Sequence, residues 1–126
     1  LPQDTVFICA DRKRIEQVME NLILNATHQV IENGEIRLEV HPEKSGVQFC
    51  IFNEGEQVPE EELQKLWNKF YRSPSSKTAG GSGLGLAISK QILQLHKASY
   101  NASNVPNGVA FTIFLQYHAE LPQISV

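Results

Sequence analysis

Strands occur in adjacent pairs along this sequence, and this order constrains the fold more than any other feature. Apolar and polar residues alternate over residues 36–40 and again over residues 47–51, with a turn at residues 42–46 between the two runs. Period-two alternation is typical of strands with one buried face, so the two runs predict a hairpin. Residues 99–103 and 109–115 predict a second hairpin, joined through Pro106-Asn107-Gly108.

Three helices are predicted around these hairpins. The first begins at Asp11, which suits a helix N-cap, and continues to about residue 32, where Asn33-Gly34 favours a left-handed stop. Its apolar stripe consists of Ile15, Met19, Leu22 and Ala26. The second helix opens on the acidic residues after Pro59 and carries Leu63, Leu66, Trp67 and Phe70. The third helix runs from about Leu84 to about Lys97.

The complete predicted order is a strand at residues 6–10, a helix, two strands, a helix, a loop at residues 73–82, a helix and two strands. Strand pairs in place of strand–helix–strand alternation predict a layer of helices packed on a mostly antiparallel sheet. No internal repeat is visible, so we expect residues 1–126 to form a single domain, with a loosely ordered tail at residues 117–126.

Composition and charge exclude several classes of function. A net charge of −3 and scattered Lys and Arg residues argue against nucleic acid as a partner. No apolar run approaches the about 18 residues that span a bilayer, and no signal peptide is visible, so we expect a cytosolic domain without membrane contact. Because the sequence begins at Leu1 without a Met, we expect a piece of a longer protein. Cys9 and Cys50 lie in strand-like runs and are expected to be buried, with a disulfide or a metal site as the alternative.

Two asparagines interrupt the apolar pattern of the first helix. Asn21 and Asn25 are spaced i, i+4 and project from one face, with His28 a further turn along. Asn is a mediocre helix former, so two of them in mid-helix require a reason. An amide oxygen can bind a hard cation, and Mg²⁺ needs few protein ligands beside phosphates and water. The alternative is that both asparagines are solvated polar residues.

Two loops carry further candidates. Asn53 ends a predicted strand and is followed by Gly55 and Val58, so an amide edge and an apolar side chain could bind a flat heterocycle; an ordinary polar connection is the alternative. Residues 80–86 form a Gly-rich turn that leads into a helix, where backbone amides can approach phosphates. This run matches neither the Walker pattern nor the dinucleotide fingerprint, and a flexible hinge is its alternative.

In this order, the candidates resemble the motifs of the catalytic domain of bacterial sensor histidine kinases. That domain lies within the ATPase superfamily of gyrase, the heat-shock chaperone ATPases and the mismatch-repair ATPases. Residues 21–26 resemble the N box, residues 53–59 the G1 box, residues 66–72 the F box that opens the ATP lid, and residues 81–88 the G2 box. The resemblance covers about residues 11–115. It implies a Bergerat-type ATP-binding fold, an α/β (α+β) two-layer sandwich whose mostly antiparallel, mixed sheet is covered by about three helices.

The resemblance also implies a role for each site residue. Asn25 would give its amide oxygen to Mg²⁺, Asn21 would support the metal and the phosphates, and Arg72 would reach the γ-phosphate, so these three are the implied catalytic residues. Asn53 would accept a hydrogen bond from adenine. The other implied ATP-binding residues are His28, Gly55, Val58, Phe70, Tyr71, Gly81, Ser82, Gly83, Leu84, Gly85 and Leu86. None of them is a covalent catalyst, which suits phosphoryl transfer by positioning and charge neutralisation.

Five positions differ from the family pattern, among them Gln29, which stands where the family usually has an aromatic residue. Asn53 replaces an Asp, and the neutral acceptor is expected to weaken adenine binding by about 1 kcal/mol. Gln57 replaces a Gly of the G1 box, and His28 replaces a Lys near the phosphates. Lys97 falls where a Gly often follows the end of the helix. These differences are expected to affect nucleotide affinity and not family membership.

The resemblance implies that the phosphoacceptor lies elsewhere. Histidine kinases phosphorylate a His on a separate dimerisation helix, and His28, His41, His96 and His118 all lie in other predicted elements. The implied partners are ATP, the histidine-bearing dimerisation domain of the same kinase and a downstream response regulator, on the cytoplasmic side of a membrane-bound bacterial sensor kinase. The alternatives are a degenerate nucleotide-binding module without kinase activity and an anti-sigma-factor-type serine kinase. A gyrase-type hydrolytic ATPase is disfavoured because Asn21 stands where that class has its general-base Glu.

Overall fold

A computed structural model describes residues 12–68 and 85–116. Its elements are helix α1 (Arg12–Gln29), strands β1 (Ile36–Pro42) and β2 (Gly46–Glu54), a 3₁₀ helix (Glu60–Trp67), helix α2 (Gly85–Leu95), and strands β3 (Ser99–Val105) and β4 (Gly108–Gln116). Over these residues the predicted order is confirmed. The predicted strand at residues 6–10, the loop at residues 73–82 and the tail at residues 117–126 lie outside them.

The strands of the described ranges form one antiparallel sheet of four strands in the order β1-β2-β4-β3. Each predicted hairpin is present, and β2 pairs with β4, so the second strand of one hairpin lies beside the second strand of the other. The 3₁₀ helix and α2 connect β2 to β3 across the sheet. With α1 they form the helical layer, which confirms the predicted two-layer α/β sandwich.

One face of the sheet carries the hydrophobic core. Alternate residues of β2 and β4 pack there against the helices, as the period of two predicts. The buried strand residues of this cluster are Val47, Ile51, Ala102, Val109, Phe111, Ile113 and Leu115. The predicted stripe of α1 is confirmed, since Leu22 and Ala26 are buried and Ile15 and Met19 pack at the margin. Val18 completes the buried face of α1.

The segment after Pro59 is helical, as predicted, but it forms a 3₁₀ helix over Glu60–Trp67. Trp67 is 2% exposed and is the largest buried side chain of this element. Its ring centroid lies 5.0 Å from that of Tyr100 on β3 and 5.4 Å from that of Phe111 on β4. These tilted and edge-on contacts attach the 3₁₀ helix to the second hairpin.

The predicted buried face of β1 is wrong for two of its residues. Ile36 and Leu38 keep 39% and 47% of their surface exposed. In the described sheet β1 is an edge strand, and α1 packs on β2, so these side chains lie beyond the cover that α1 provides. Cys50, predicted to be buried, is only half-buried, because it lies on the sheet face opposite to its neighbour Ile51. Its thiol is free.

Helix α1 ends at Gln29, shortly before the predicted end. The N–H of Ile31 donates to the carbonyl oxygen of Glu54 at 3.0 Å, which turns the chain out of the helix and towards β2. Asn33 then adopts φ 62°, the left-handed conformation that the Asn33-Gly34 pair predicts. No helix in the described ranges is long and apolar enough to cross a membrane.

Helix α2 ends in a Schellman motif. The N–H of Lys97 donates to the carbonyl of Gln94 at 3.0 Å, and the N–H of Ala98 donates to the carbonyl of Leu93 at 2.9 Å. The motif requires a left-handed residue at Lys97, whose φ is 54°. The family position that often carries Gly is therefore a left-handed position in this chain too.

Candidate functional site

Asn21 joins the two α-helices. Its amide nitrogen Nδ2 donates to the carbonyl oxygen of Gly85 at 3.0 Å and to the hydroxyl oxygen of Ser89 at 3.1 Å. An added Cβ at Gly85 would lie 3.6 Å from Asn21 Cγ, in ordinary van der Waals contact. The structure thus brings together two residues of the predicted site, and Asn21 attaches the first turn of α2 to α1.

Ser89 is a buried partner of Asn21 that the sequence reasoning missed. It is completely buried on α2, and it and Asn53 are the buried polar residues of the described core. A buried hydroxyl requires a hydrogen-bond partner, and the amide of Asn21 provides one. The signal in the sequence was a polar residue on the apolar side of α2, one turn after Gly85.

Asn25 and His28 continue along α1 beyond Asn21. Asn25 is half-buried and lies one turn after Asn21, and none of the hydrogen bonds among the described residues involves its amide. His28 is also half-buried and lies in the last turn of the helix. No described residue therefore engages the amide oxygen of Asn25.

Asn53 lies at the end of β2, opposite Ile36 on β1 and Val109 on β4. It is only 3% exposed, and its amide makes no hydrogen bond with another residue that the structure describes. No fully buried side-chain nitrogen or oxygen among those residues lacks a partner. The Asn53 amide is therefore a nearly buried polar group that no described residue engages.

Gly55 brings the chain against the C-terminal end of α1. An added Cβ at Gly55 would lie 3.0 Å from the carbonyl oxygen of Gln29 and 3.6 Å from Asn53 Nδ2. The N–H of Gly55 donates to the carbonyl oxygen of Asn107 at 2.9 Å. The missing side chain permits this close approach.

Gly108, at the start of β4, lies directly against the backbone of Asn53. An added Cβ there would overlap the backbone oxygen of Asn53 and lie 2.8 Å from Phe52 Cε1. Sequence reasoning assigned Gly108 only to a turn. Its position against Asn53 is set by the pairing of Glu54 with Gly108 in the sheet, which no local pattern reveals.

The chain after Gly55 is attached to β3. The amide of Gln57 donates to the carbonyl oxygen of Val105 at 2.7 Å. The N–H of Val58 donates to Asn104 Oδ1 at 2.9 Å, and Asn104 Nδ2 donates to the carbonyl oxygen of Val58 at 2.6 Å. Gln57 does not adopt a positive φ, so the Gly of the family pattern is not needed for the backbone conformation seen here.

The candidates from both loops lie along α1. Asn21 contacts Gly85 of the Gly-rich turn, and the carbonyl of Gln29 faces Gly55, which follows Asn53. The two contact points are about 12 Å apart along the helix axis. Asn25 lies between them. A nucleotide that spans the two groups would pass the amide of Asn25, in the arrangement that the sequence motifs imply.

Comparison with known proteins shows the family to which this chain belongs. Residues 10–119 match the family described as histidine kinase-, DNA gyrase B- and HSP90-like ATPase. The chain belongs to this ATPase family. It is similar to the sensor histidine kinase WalK of Bacillus subtilis (strain 168), with 31% identity over 125 residues that cover 95% of this chain and 20% of WalK. The chain spans about a fifth of the length of this relative.

Comparison with solved structures indicates which proteins of this family have a similar fold. The mycobacterial sensor histidine kinase MprB superposes with a TM-score of 0.79 at 25% identity, over 86% of this chain and 76% of that one. Histidine kinase ThkA in complex with the response regulator protein TrrA superposes with a TM-score of 0.74 at 29% identity, over 96% of this chain and 33% of that one. The described fold is therefore similar to that of sensor histidine kinases within this ATPase family.

Several predicted site residues of this ATPase domain lie outside the described ranges. They are Phe70, Tyr71, Arg72, Gly81, Ser82, Gly83 and Leu84. Of the described ones, Leu86 and Val58 both pack against the hydrophobic core. The predicted ATP-binding roles of all these residues stay predictions.

A network of charged side chains lies on the open face of β1. Arg37 lies 4.6 Å from the ring centroid of Phe52 and donates to Glu35 at 2.7 Å and to Glu39 at 2.9 Å. A hydrogen bond from His41, together with the charge of Arg37, holds the pKa of Glu39 below its ordinary value, although desolvation opposes the shift. These side chains are exposed, so the network is a surface feature of the strand and contributes little to stability.

Proposed function

We propose that this domain binds ATP with Mg²⁺ and transfers the γ-phosphoryl group to a His on a separate dimerisation domain of the same kinase. A response regulator would then receive the phosphoryl group. The observation that carries the proposal is the meeting of three motif groups on α1: Asn21 with Gly85, Gly55 with the end of the helix, and Asn25 between them. Family membership and the likeness to ThkA bound to TrrA support it.

Asn25 fits a Mg²⁺ ion that is bound together with phosphates. Its amide oxygen is a neutral, hard donor, is half-buried, and makes no hydrogen bond with another described residue. The described residues contain no group of three His, Cys, Asp or Glu side chains suited to hold a metal. Mg²⁺ commonly takes one or two protein oxygens, with phosphate and water oxygens completing its shell. The ion would neutralise charge on the phosphates.

In this proposal Asn21 positions the binding site and does not itself bind Mg²⁺. Its Nδ2 is already used on Gly85 and Ser89, so it would act by holding the start of α2 in place. The backbone amides of that helix start and of the preceding Gly-rich turn would approach the phosphates. Asn53 would accept from the adenine amino group, because its nearly buried amide lies beside Gly55 and makes no hydrogen bond with another described residue.

Titration of a slowly hydrolysed ATP analogue tests the binding site. Calorimetry on the chain of residues 1–126 should show binding that strengthens when Mg²⁺ is added. Asn25→Ala should remove the strengthening by Mg²⁺ and retain weak binding. Thr27→Ala is the matched control, because the exposed Thr27 hydroxyl only donates to Leu24 O within the same helix. Absence of binding at millimolar analogue would overturn the proposal, and a Mg²⁺ effect that survives Asn25→Ala would overturn the role of Asn25.

Phosphoryl transfer requires the rest of the kinase. The full-length protein, or this chain mixed with the dimerisation domain of the same protein, should form phosphohistidine from ATP, detected by mass spectrometry. Phosphoserine in place of phosphohistidine would favour a serine kinase. Because the nucleotide and the response regulator are cytoplasmic molecules, we further propose that the domain lies on the cytoplasmic side of a membrane-bound kinase. Protease accessibility in spheroplasts and in inverted vesicles tests this location.

A further inference from the structure

The side chain of Asn104 binds both backbone groups of Val58. Asn104 Oδ1 accepts from the Val58 N–H at 2.9 Å, and Asn104 Nδ2 donates to the Val58 carbonyl at 2.6 Å. The two residues are far apart in sequence, and both hydrogen bonds are partly buried. An amide that satisfies the N–H and the C=O of one residue replaces the partner strand that a sheet would provide. We call this pair of hydrogen bonds the Asn104 clamp.

The register of the sheet relates the clamp to the base-binding candidate. Asn53 pairs with Val109, and Val109 pairs with Asn104, so the three residues form one row across β2, β4 and β3. Directly paired residues of antiparallel strands project to the same face. Neighbouring strands are about 4.8 Å apart, which places the backbones of Asn53 and Asn104 about 10 Å apart. Asn104 thus lies on the helix-covered face, two strands from Asn53.

Between these two residues runs the segment 55–58, which belongs to no helix or strand. The hairpin turn holds its beginning, because Gly55 N–H donates to the Asn107 carbonyl at 2.9 Å. The Asn104 clamp holds its end. The intermediate bond from Gln57 to Val105 is exposed and therefore open to competition from water. The clamp is the partly buried hydrogen-bonded attachment of Val58, whose side chain also packs at the margin of the hydrophobic core.

We propose that Asn104 is a positioning residue for recognition of the nucleotide base. This inference rests on the proposed ATP-binding function and assigns to β3 a part in it. Val58 would pack on the face of the adenine ring while Asn53 binds its edge, and the clamp would fix the distance between the two groups. Release of the clamp would allow Val58 to move, so the base would lose contact while the phosphates kept theirs.

Nucleotide discrimination tests the clamp in the chain of residues 1–126. Asn104→Ala should weaken binding of an ATP analogue about tenfold and reduce the preference for the ATP analogue over the matching GTP analogue. The Mg²⁺ dependence of binding should stay unchanged. Asn101→Ala is the matched control, since Asn101 lies on the same strand but is exposed on the opposite face. Asn104→Asp keeps the shape and loses the donor to the Val58 carbonyl, so it should behave like Asn104→Ala.

Amide hydrogen exchange gives a second readout that needs no nucleotide. The Val58 N–H should exchange faster in Asn104→Ala than in the unchanged chain, and Asn101→Ala should not alter it. If both Asn104 variants keep the full affinity and the full preference for the ATP analogue, the positioning role is refuted while the proposed function stands. If the unchanged chain binds neither analogue, the proposed function fails and this role fails with it. Thermal melts show whether each variant is folded.

Discussion

Replacement of Lys97 by Gly should stabilise the domain. Lys97 has φ 54° as the left-handed residue of the Schellman motif that ends α2. A left-handed conformation costs a non-glycine residue about 1–2 kcal/mol. Gly gains additional freedom in the unfolded chain, which opposes the change by about 0.4–1 kcal/mol. The exposed Lys97 side chain makes no hydrogen bond or ion pair with another described residue, so little else is lost. The free energy of unfolding should therefore rise by about 0.5–1 kcal/mol.

Urea denaturation of Lys97→Gly, followed by circular dichroism, measures this gain. The midpoint should shift upwards with an unchanged slope, and the melting temperature should rise by about 2–4 °C. Lys97→Ala is the control, because it removes the charged side chain and keeps the Cβ that opposes the left-handed conformation. Equal stabilisation by Gly and Ala would refute the conformational reasoning and point to the charge. A destabilised Lys97→Gly would show that the Lys side chain contributes more than its surroundings indicate.

Two further predictions concern the sheet. Gly108→Ala should destabilise the domain by about 2–3 kcal/mol, because the new methyl group overlaps the Asn53 backbone; denaturant unfolding measures the loss, and an unchanged midpoint would contradict it. The pKa of Glu39 should lie below its ordinary value and rise towards it in His41→Gln, as carbon-detected NMR titration can show. Since the lowered pKa belongs to the folded state, the stabilisation from the Glu39 carboxylate is present above the ordinary pKa and is lost as the pH falls through the lowered one.

Local patterns were sufficient to predict most elements of the fold. The alternation in β1 and β2 predicted both strands, and the Pro106-Asn107-Gly108 turn predicted the hairpin that ends the domain, with Asn107 at φ 70°. The pairing of β2 with β4 cannot be read from such patterns, because it joins segments separated by two helices. The same pairing makes β1 an edge strand, and for that reason the expectation of a buried Ile36 and Leu38 was wrong.

Local patterns likewise predicted some residues of the candidate site and not others. Asn21, Asn25, Asn53 and Gly55 were predicted because each breaks a helical or strand pattern at a motif position. Ser89 and Asn104 were missed because neither was assigned to a motif, although Ser89 is a polar residue on the apolar side of α2. Their contacts are with residues far along the chain, Asn21 for one and Val58 for the other. A single sequence does not show such partners.

The contacts of Asn21 and of Asn104 have one physical feature in common. Each uses an amide side chain on a backbone group far along the chain: Asn21 on the carbonyl of Gly85, and Asn104 on both groups of Val58. A backbone contact of this kind does not depend on the side chain at the far position, so motif residues can change without loss of the attachment. The domain can therefore accept Gln57 in place of a Gly and keep Val58 in place. The prediction that Asn53 and Gln57 weaken binding then separates into two parts: the loss at Asn53 should persist, and the loss at Gln57 should be small because its backbone has no positive φ and its side chain bonds to Val105.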